Sequence, residues 1–264
     1  MDELAVREEW IRRTTFLPLS QRETLELVLA KVKEHGQNDS TPIVVIDLDS
    51  TLYDVRHRTH QIIQSWLQVA QDLPDEIQQK LKNSTLSSIG YSLKDTFHQL
   101  ELDLKNLQIE KTWERLKDYW WEHFFSNETV HHDEPYTGAI EYAHLLKEAG
   151  AIVVYLTGRD TPKMGAGTAK KMQKDGFPLD GIRARLIMKE TFGSDDALHK
   201  VSVLNSLISE GTIIASFENE PKNLMALVDT LPSAMHIFVE TSCSDHPARP
   251  GQGLYRIKDF SMTT

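Results

Sequence analysis

The chain has 264 residues, of which 40% are hydrophobic and 26% are charged, and its mean hydropathy is −0.40. This length and composition are typical of a globular protein with one large domain, or with a core that carries one inserted module. The net charge of −10 argues against a general nucleic-acid-binding protein, because an acidic surface repels phosphate backbones at long range.

Three features of the sequence bear on where the protein works. The longest unbroken apolar run, residues 151–156, is far too short to cross a membrane. The first four residues, Met1 to Leu4, are acidic and lack the basic and then apolar order of a signal peptide. The single cysteine, Cys243, cannot form an internal disulfide, which is typical of a reducing compartment. We therefore expect a cytoplasmic protein with no membrane span.

The N-terminal part, residues 1–36, is predicted to be a helical extension. Within it, Ser20 and Glu23 have the spacing of a capping box at a helix start. A polar linker is predicted at 37–42. The run 43–46 is β-branched and apolar on both faces, which is typical of a buried parallel strand.

A long segment without strand patterns follows, from Val55 to about Asp133. Its apolar residues instead recur at helical spacing in three stretches. A helical module inserted right after the first strand would lie over the carboxyl edge of the sheet. We therefore predict an all-helical cap domain at 55–133 and a core made of 1–54 plus 134–264. The three stretches are marked by Ile63, Trp66, Leu67 and Ala70, by Leu93, Phe97, Leu100 and Leu104, and by Ile109, Trp113, Leu116, Trp120 and Phe124.

Strand and helix patterns alternate through the rest of the chain. Four further apolar runs, residues 152–156, 184–188, 212–217 and 236–239, are predicted strands. This alternation predicts an α/β fold with a Rossmann-like open parallel sheet, in which ligands bind beyond the carboxyl ends of the strands. The helices between the strands are predicted to bury Ala139, Tyr142, Ala143 and Leu146, and Leu198, Val201, Leu204 and Ile208.

Two carboxylates follow the first predicted strand directly. Asp47 and Asp49 lie on the same side of an extended backbone, so they converge at the strand end. Paired carboxylates repel unless a cation or a proton is held between them. The pair therefore suits a Mg²⁺ site or a division into nucleophile and general acid/base. A solvated turn that caps the next helix is the alternative.

Other strand ends carry polar residues that suit a phosphoryl group. Thr157 and Gly158 offer a hydroxyl and free backbone amides, and Lys200 lies near a helix start that Asp195 or Asp196 could cap. Glu218 adds a further carboxylate directly after the predicted strand 212–217. Taken singly, each has an ordinary explanation as a turn, a surface lysine or a helix cap.

The order of these residues resembles the haloacid dehalogenase superfamily of aspartate-nucleophile phosphohydrolases. The likeness runs from Ile43 to about Asn223, and the helical insertion looks like that family's cap of the first type. The turn at 52–54 corresponds to its mobile turn. The four motifs are matched by Asp47-Leu48-Asp49-Ser50-Thr51, by Thr157, by Lys200, and by Glu218 with Asn219.

The resemblance implies a mechanism and a set of site residues. Asp47 is implied to be the nucleophile that forms an aspartyl-phosphate, and Asp49 the general acid/base. The resemblance also implies that Mg²⁺ is bound by Asp47, the Asp49 carbonyl and Glu218, and that the substrate is a small phosphorylated molecule. The phosphate is implied to be held by Ser50, Thr157, Gly158 and Lys200. Substrate identity and oligomeric state do not follow from the sequence.

Two departures from the family pattern leave alternatives open. Glu218 stands where aspartate is usual, and Asn219 stands where a second acid is common, so we expect Mg²⁺ binding that is weakened but retained. A phosphate-binding regulatory module with little turnover is therefore an alternative. So is a polynucleotide 3′-phosphatase-like enzyme, because of a looser likeness to the phosphatase half of polynucleotide kinase-phosphatases. That likeness rests on residues 157–160, Thr168, residues 176–178, residues 186–189 and Lys200.

Several other residues have competing interpretations. Lys189 competes with Lys200 for the phosphate-binding role, and the second is favoured by its distance before Glu218. The tryptophans at 113, 120 and 121 are expected to be core residues rather than a substrate-stacking face. Residues 131–133 (His-His-Asp) are expected to be a linker, and Cys243 to be inert. Family members that cleave carbon–phosphorus bonds use a cap lysine, for which Lys80, Lys82 and Lys94 are candidates.

Overall fold

A computed structural model describes residues 5–37 and 40–262. Met1 to Leu4, on which the prediction about a signal peptide rests, lie outside the described residues, as do two residues of the predicted linker. Across the two described ranges, no helix is long and apolar enough to span a membrane.

Seven strands of the described ranges form one sheet, and every neighbouring pair in it is parallel. The strands are β1 (Thr15–Phe16), β2 (Pro42–Ile46), β5 (Ile152–Asp160), β6 (Ala184–Lys189), β7 (Thr212–Glu218), β8 (Met235–Val239) and β9 (Gln252–Ile257), with β3 (Tyr53–Asp54) and β4 (Glu134–Pro135) forming a separate antiparallel pair. Their order in the sheet is β1-β9-β8-β7-β2-β5-β6. After β2, the chain therefore adds strands first on one side of β2 and then on the other.

Helices cover both faces of the sheet. The helices are α1 (Arg7–Arg13), α2 (Gln21–Gln37), α3 (Arg56–Val69), α4 (Asp75–Lys82), α5 (Leu93–Gln99), α6 (Leu107–Phe124), α7 (Ala139–Glu148), α8 (Thr161–Asp175), α9 (Asp196–Leu207) and α10 (Pro221–Thr230), with short 3-10 helices at Leu86–Ser88 and Val130–His132. Val44 and Ile46 of β2 pack on one face of the sheet with residues of α2 and α7, whereas Ile43 and Val45 pack on the other face with residues of α9 and α10.

The predicted α/β class and Rossmann-like parallel sheet are confirmed. All five predicted strands are present, because a strand buried on both faces is apolar at every position and therefore conspicuous in the sequence. The capping box is also present, since Ser20 N donates to the Glu23 carboxylate (2.8 Å) and Glu23 N donates to the Ser20 hydroxyl (3.2 Å).

Two parts of the sheet were not predicted. The expectation of a helical segment over 1–36 is wrong at β1, a two-residue strand between α1 and α2 that pairs with β9. Strand β9 itself begins with the exposed residues Gln252 and Gly253. Neither strand shows a clear apolar pattern, because β1 is too short and β9 is only partly buried.

The insertion between β3 and β4 has a hydrophobic cluster of its own, to which α3, α4, α5 and α6 contribute. Helix α4 was missed by the sequence analysis, while the three predicted helices are present. The antiparallel pair β3–β4 lies where the chain leaves the core and returns to it, so the two ends of the insertion are held side by side.

The predicted apolar face of α9 is wrong at two positions. Leu198 is 72% exposed and Ile208 is 51% exposed. The buried face of this helix carries Leu204 and Leu207 together with Lys200. A buried lysine counts as polar in a hydrophobicity pattern. The predicted apolar face was therefore centred towards Leu198 and Ile208 rather than towards Lys200 and Leu207.

Candidate active site

Three sequence-predicted site residues meet at the carboxyl edge of two neighbouring strands. Asp47 directly follows β2, and Glu218 is the last residue of β7, the strand paired with β2. Lys200, on the first turns of α9, donates to Asp47 Oδ1 at 2.6 Å and to Glu218 Oε2. All three residues are buried. The structure therefore joins three segments that are far apart in the sequence through one ammonium group.

The charges of this trio are unbalanced. Burial first, and the charge of Glu218 second, raise the pKa of Asp47 to about 7, against the opposing effect of Lys200. Burial likewise raises the pKa of Glu218. Although burial favours the neutral amine of Lys200, the two carboxylates raise its pKa above the ordinary value. When all three groups are ionised, the trio carries a net negative charge, which a further positive charge would neutralise.

Asp49 lies in a different electrostatic environment from Asp47. Arg159 donates to its carboxylate through Nη2 (2.7 Å) and Nε (3.0 Å), and Arg58 Nη2 lies 3.2 Å from Oδ1. Burial raises the pKa of Asp49, but the charges of the two guanidinium groups outweigh it and lower the pKa to about 2. In this arrangement Asp49 is a carboxylate at neutral pH.

The two guanidinium groups also share a second carboxylate, Asp133. Its oxygens accept from Arg58 Nε and Arg159 Nη2, both at 2.7 Å, and its side chain is fully buried. Arg58 lies on α3 of the insertion, Arg159 lies on β5, and Asp133 precedes β4. This buried network of two arginines and two aspartates therefore connects the insertion to the sheet beside Asp49.

Sequence reasoning missed the roles of these three residues. Residues 131–133 were expected to be a linker between the insertion and the core, an expectation that did not include the buried ion pairs of Asp133. The only signal in the sequence was that Arg159 directly follows Thr157-Gly158, whereas Arg58 looked like an ordinary helix residue. Within the described ranges, no group of three or more His, Cys, Asp or Glu side chains has the geometry to hold a metal ion by itself.

The other predicted phosphate-binding residues lie around the same edge. Thr157 is fully buried, and its hydroxyl accepts from the backbone N–H of Arg159 at 3.2 Å. Gly158 lines the cavity described below, and a Cβ atom there would lie 2.4 Å from the carboxylate of Asp196. Ser50 also lines the cavity, has a left-handed φ of 59°, and shares a 3.0 Å hydrogen bond with Ser242. Their roles stay predictions.

The contacts of Lys189 and Asn219 show how these two sequence-predicted residues relate to the site. Lys189 donates to Asp196 Oδ1 (2.6 Å) and to the Ser194 carbonyl, so it is Lys200 that contacts Asp47. Asn219 accepts from the Thr51 hydroxyl at 3.0 Å, so the first and fourth motifs are joined by a neutral hydrogen bond. The Asp195 carboxylate caps α9 by accepting from Leu198 N, as predicted for one of Asp195 and Asp196, and Pro221 occupies the first turn of α10.

A cavity of about 470 Å³ opens onto these groups. Its lining includes Asp47, Asp49, Lys200 and Glu218 from the core, and the insertion contributes Arg58, Tyr91, Trp120 and Phe124. The expectation that the tryptophans are core residues is wrong for Trp121, which is 52% exposed. In the described part of the chain, the cavity lining does not include Lys80, Lys82 or Lys94.

The donor set at this edge fits a hard divalent cation. Asp47 and Glu218 supply carboxylate oxygens on adjacent strands, and such oxygens are the ligands that Mg²⁺ prefers. The mutual repulsion that raises the pKa of Asp47 is relieved when a cation lies between the two carboxylates.

Residues 41–200 match the model of one protein family, described as haloacid dehalogenase-like hydrolase, and this match covers more than half of the chain. The chain belongs to the haloacid dehalogenase-like hydrolases. Among curated proteins, none matches the chain.

Several solved structures are similar to this chain at low sequence identity. One, described as a predicted phosphoglycolate phosphatase from Haemophilus somnus, is 14% identical with a TM-score of 0.47, over 83% of this chain and 95% of that one. A hydrolase of the superfamily from Ehrlichia chaffeensis is 13% identical with a TM-score of 0.46, over 84% and 93%. A predicted phosphatase from Clostridium acetobutylicum is 18% identical with a TM-score of 0.43, over 76% and 85%.

Proposed function

We propose that this hydrolase is a Mg²⁺-dependent phosphatase that cleaves a small phosphomonoester through an aspartyl-phosphate on Asp47. The observation that carries the proposal is the contact of Lys200 with both Asp47 and Glu218, at the strand edge where the first and fourth family motifs meet. An ammonium group next to a buried carboxylate is suited to receive a phosphoryl dianion beside its nucleophile.

In the first step, Asp47 attacks phosphorus in line and the leaving oxygen departs, which forms an acyl phosphate. The attack requires an ionised Asp47, although burial and Glu218 raise its pKa to about 7. Lys200 favours the ionised form, and it then neutralises one oxygen of the transferred phosphoryl group. Ser50, Thr157 and Gly158 are proposed to hold the remaining oxygens.

Mg²⁺ would be held by Asp47, the Asp49 carbonyl and Glu218, and it would supply Lewis-acid neutralisation of the phosphoryl charge. The longer Glu218 side chain takes the place of the usual aspartate, so its carboxylate must fold back towards Asp47. Lys200 already contacts both carboxylates, which supports their convergence on one position.

Asp49 is proposed to act as the general acid and then the general base. Its contacts with Arg58 and Arg159 keep it ionised, which suits the second step, in which it takes a proton from the attacking water. To protonate the leaving group in the first step, Asp49 must first gain a proton from solvent. Loosening of the Arg58 contact favours this gain, and Arg58 lies on the insertion.

Residues 55–133 are proposed to act as a cap, with 1–54 and 134–264 as the core. The separate hydrophobic cluster of the insertion and its contribution to the cavity lining support this role. Residues 52–54, which end in β3, are proposed to be the turn at which the cap moves. A cytoplasmic location is proposed because the single cysteine, Cys243, is unpaired and buried.

The test is hydrolysis of a panel of phosphomonoesters with Mg²⁺ by the wild type and by Asp47→Asn. We expect the substitution to lower kcat by at least about 10⁴-fold, as is typical when a nucleophile is removed. The matched control is Asp118→Asn on the exposed face of α6, which should stay within about twofold. Full activity of Asp47→Asn would refute the proposed mechanism.

A phosphate-binding module with little turnover is the second candidate. The observation that favours it is the low pKa of Asp49, which leaves almost no protonated acid at neutral pH. This candidate predicts tight binding of beryllofluoride or phosphate by the wild type, with no product released from any phosphomonoester of the same panel.

A further inference from the structure

We propose that the site prefers phosphomonoesters whose leaving group carries a planar aromatic ring, and that Tyr91 and Trp120 of the insertion bind this ring. The inference rests on the proposed function, because it names the substrate class of the same site. It is argued from the aromatic lining of the cavity and from the charges that line the rest of it.

Tyr91 lines the cavity that contains Asp47 and Asp49, between the 3-10 helix Leu86–Ser88 and α5. It is 43% exposed, although its ring is a large apolar surface. Among the described residues, its side chain makes no hydrogen bond and no contact with another ring. An aromatic side chain left free at a cavity wall can stack on a ligand without losing a partner inside the protein.

Trp120 is fixed in place at the same cavity. Its Nε1 donates to the Thr59 hydroxyl at 3.1 Å, and its ring stacks on Phe124 with centroids 4.4 Å apart. Phe124 in turn lies 4.4 Å from the guanidinium carbon of Arg58. Because its ring is held by a hydrogen bond and a stack, Trp120 needs little reordering when it binds a flat ligand.

The charged lining argues against a second phosphate on the substrate. Lys200 is assigned to the transferred phosphoryl group, and every other Arg and Lys among the described lining residues has a carboxylate close by, so no unpaired cation is left for a second phosphate. A polynucleotide or a bisphosphate is therefore less suited than a single phosphate on an uncharged ring. The pairs are Arg56 with Asp54, Arg58 with Asp133, Arg159 with Asp49, and Lys222 with Asp195 at 3.8 Å.

The test compares kcat/KM for adenosine 5′-monophosphate, phenyl phosphate and glycerol 3-phosphate. We expect the wild type to prefer the two aromatic substrates. Tyr91→Ala should lower kcat/KM for them by about tenfold more than for glycerol 3-phosphate, since stacking of a ring on an aromatic side chain has this order of magnitude. Tyr91→Phe keeps the ring and should restore the preference. The two aromatic substrates distinguish a nucleoside from a simple aryl group.

Two further variants and a binding measurement complete the design. Trp120→Leu should act in the same direction as Tyr91→Ala, whereas the control Trp121→Leu, at an aromatic residue outside the cavity lining, should not change the preference. The same three ligands are titrated calorimetrically into Asp47→Asn, which reports on ring binding without turnover.

The outcomes separate this inference from the proposed function. Turnover with no aromatic preference, or an equal loss for all three substrates in Tyr91→Ala, overturns the inference and leaves the phosphatase standing. Tight binding of the aromatic ligands that depends on Tyr91, without turnover of any substrate, overturns the phosphatase and supports ring binding.

Discussion

The Lys200 ammonium lies between two carboxylates that burial would otherwise favour in their neutral forms. Removing a lysine from such a position leaves two like charges in one buried site, which is costly. This arrangement explains why a lysine occupies the buried face of α9. In the sequence, Lys200 was favoured over Lys189 by its position after the expected helix start and before Glu218.

Asp47 and Asp49 are identical residues two positions apart, but their pKa values are shifted in opposite directions. Burial and then the charge of Glu218 raise the pKa of Asp47, whereas the charges of two guanidinium groups lower the pKa of Asp49. The sequence left a Mg²⁺ site and a division of roles open for this pair, and the family resemblance implied the division. The sequence did not show that Arg159 and Arg58 lower the pKa of Asp49, because Arg58 comes from the insertion.

We predict that Arg159→Gln raises the pKa of Asp49 by about one to three units, the usual effect of one close arginine. The sign follows because the guanidinium stabilises the charged form of the acid, so its loss favours the proton. The measurement is a carboxyl NMR titration of Asp49 in the Asp47→Asn background, which removes the neighbouring titrating group. The control Arg185→Gln removes a guanidinium that pairs with Glu210 and should leave this pKa unchanged. An unchanged pKa in Arg159→Gln would disprove the assigned cause.

At the scale of elements, the insertion is attached to the core by its paired ends and by several side-chain contacts, among them a hydrogen bond from Gly167 N to Asn127 Oδ1 (2.6 Å). The antiparallel pair β3–β4 joins the ends of the insertion through the backbone. The Arg58–Asp133–Arg159 contacts then link α3 to β5 through buried side chains. If the insertion moves as the proposed cap, the β3–β4 pair would stay and the side-chain contacts would change, including those next to Asp49.

We predict that Asp133→Ala lowers the free energy of unfolding by about 3–5 kcal/mol, because it leaves two buried arginines short of a carboxylate. The measurement is urea unfolding of the variant and the wild type. The control Glu26→Ala breaks an exposed ion pair with Arg22 and should cost at most about 1 kcal/mol. A loss for Asp133→Ala as small as that of the control would contradict the importance of the network.

The elements that could be predicted are those whose burial is uniform. Strand β2 is apolar and buried along its whole length, and α3, α5 and α6 each show a repeated apolar face. Strand β9 and α9 were missed or misassigned because their patterns are mixed. Strand β9 begins with two exposed residues, so its apolar run is too short to be recognised in the sequence. In α9 the buried Lys200 takes the place of an apolar residue.

At the scale of the whole molecule, the order of the motifs along the chain predicted which strand ends would meet. The topology explains why, since β2 lies between β5 and β7 in the sheet, and the residues after these strands share one edge. The cavity walls could not be predicted in the same way. Tyr91 and Trp120 reach the cavity only through the packing of the insertion against the core, and no local pattern encodes that packing.

The same arrangement gives the molecule two unlike surfaces around one cavity. The core supplies the charged groups that would carry out phosphoryl transfer, and the insertion supplies aromatic side chains and two arginines, Arg56 and Arg58. Under the proposed function, the core would carry out the chemistry and the insertion would contribute most to the choice of substrate. A change in the insertion should alter the choice of substrate more than the nature of the reaction.

The most direct test of the account is to find where the phosphoryl group rests between the two steps. Asp49→Asn slows hydrolysis of the intermediate, and 4-nitrophenyl phosphate has a leaving group that needs little protonation. After incubation with Mg²⁺ and an acid quench, tandem mass spectrometry should find one added phosphoryl group, on Asp47. A phosphoryl group on another side chain, or turnover that persists in Asp47→Asn, would contradict the account.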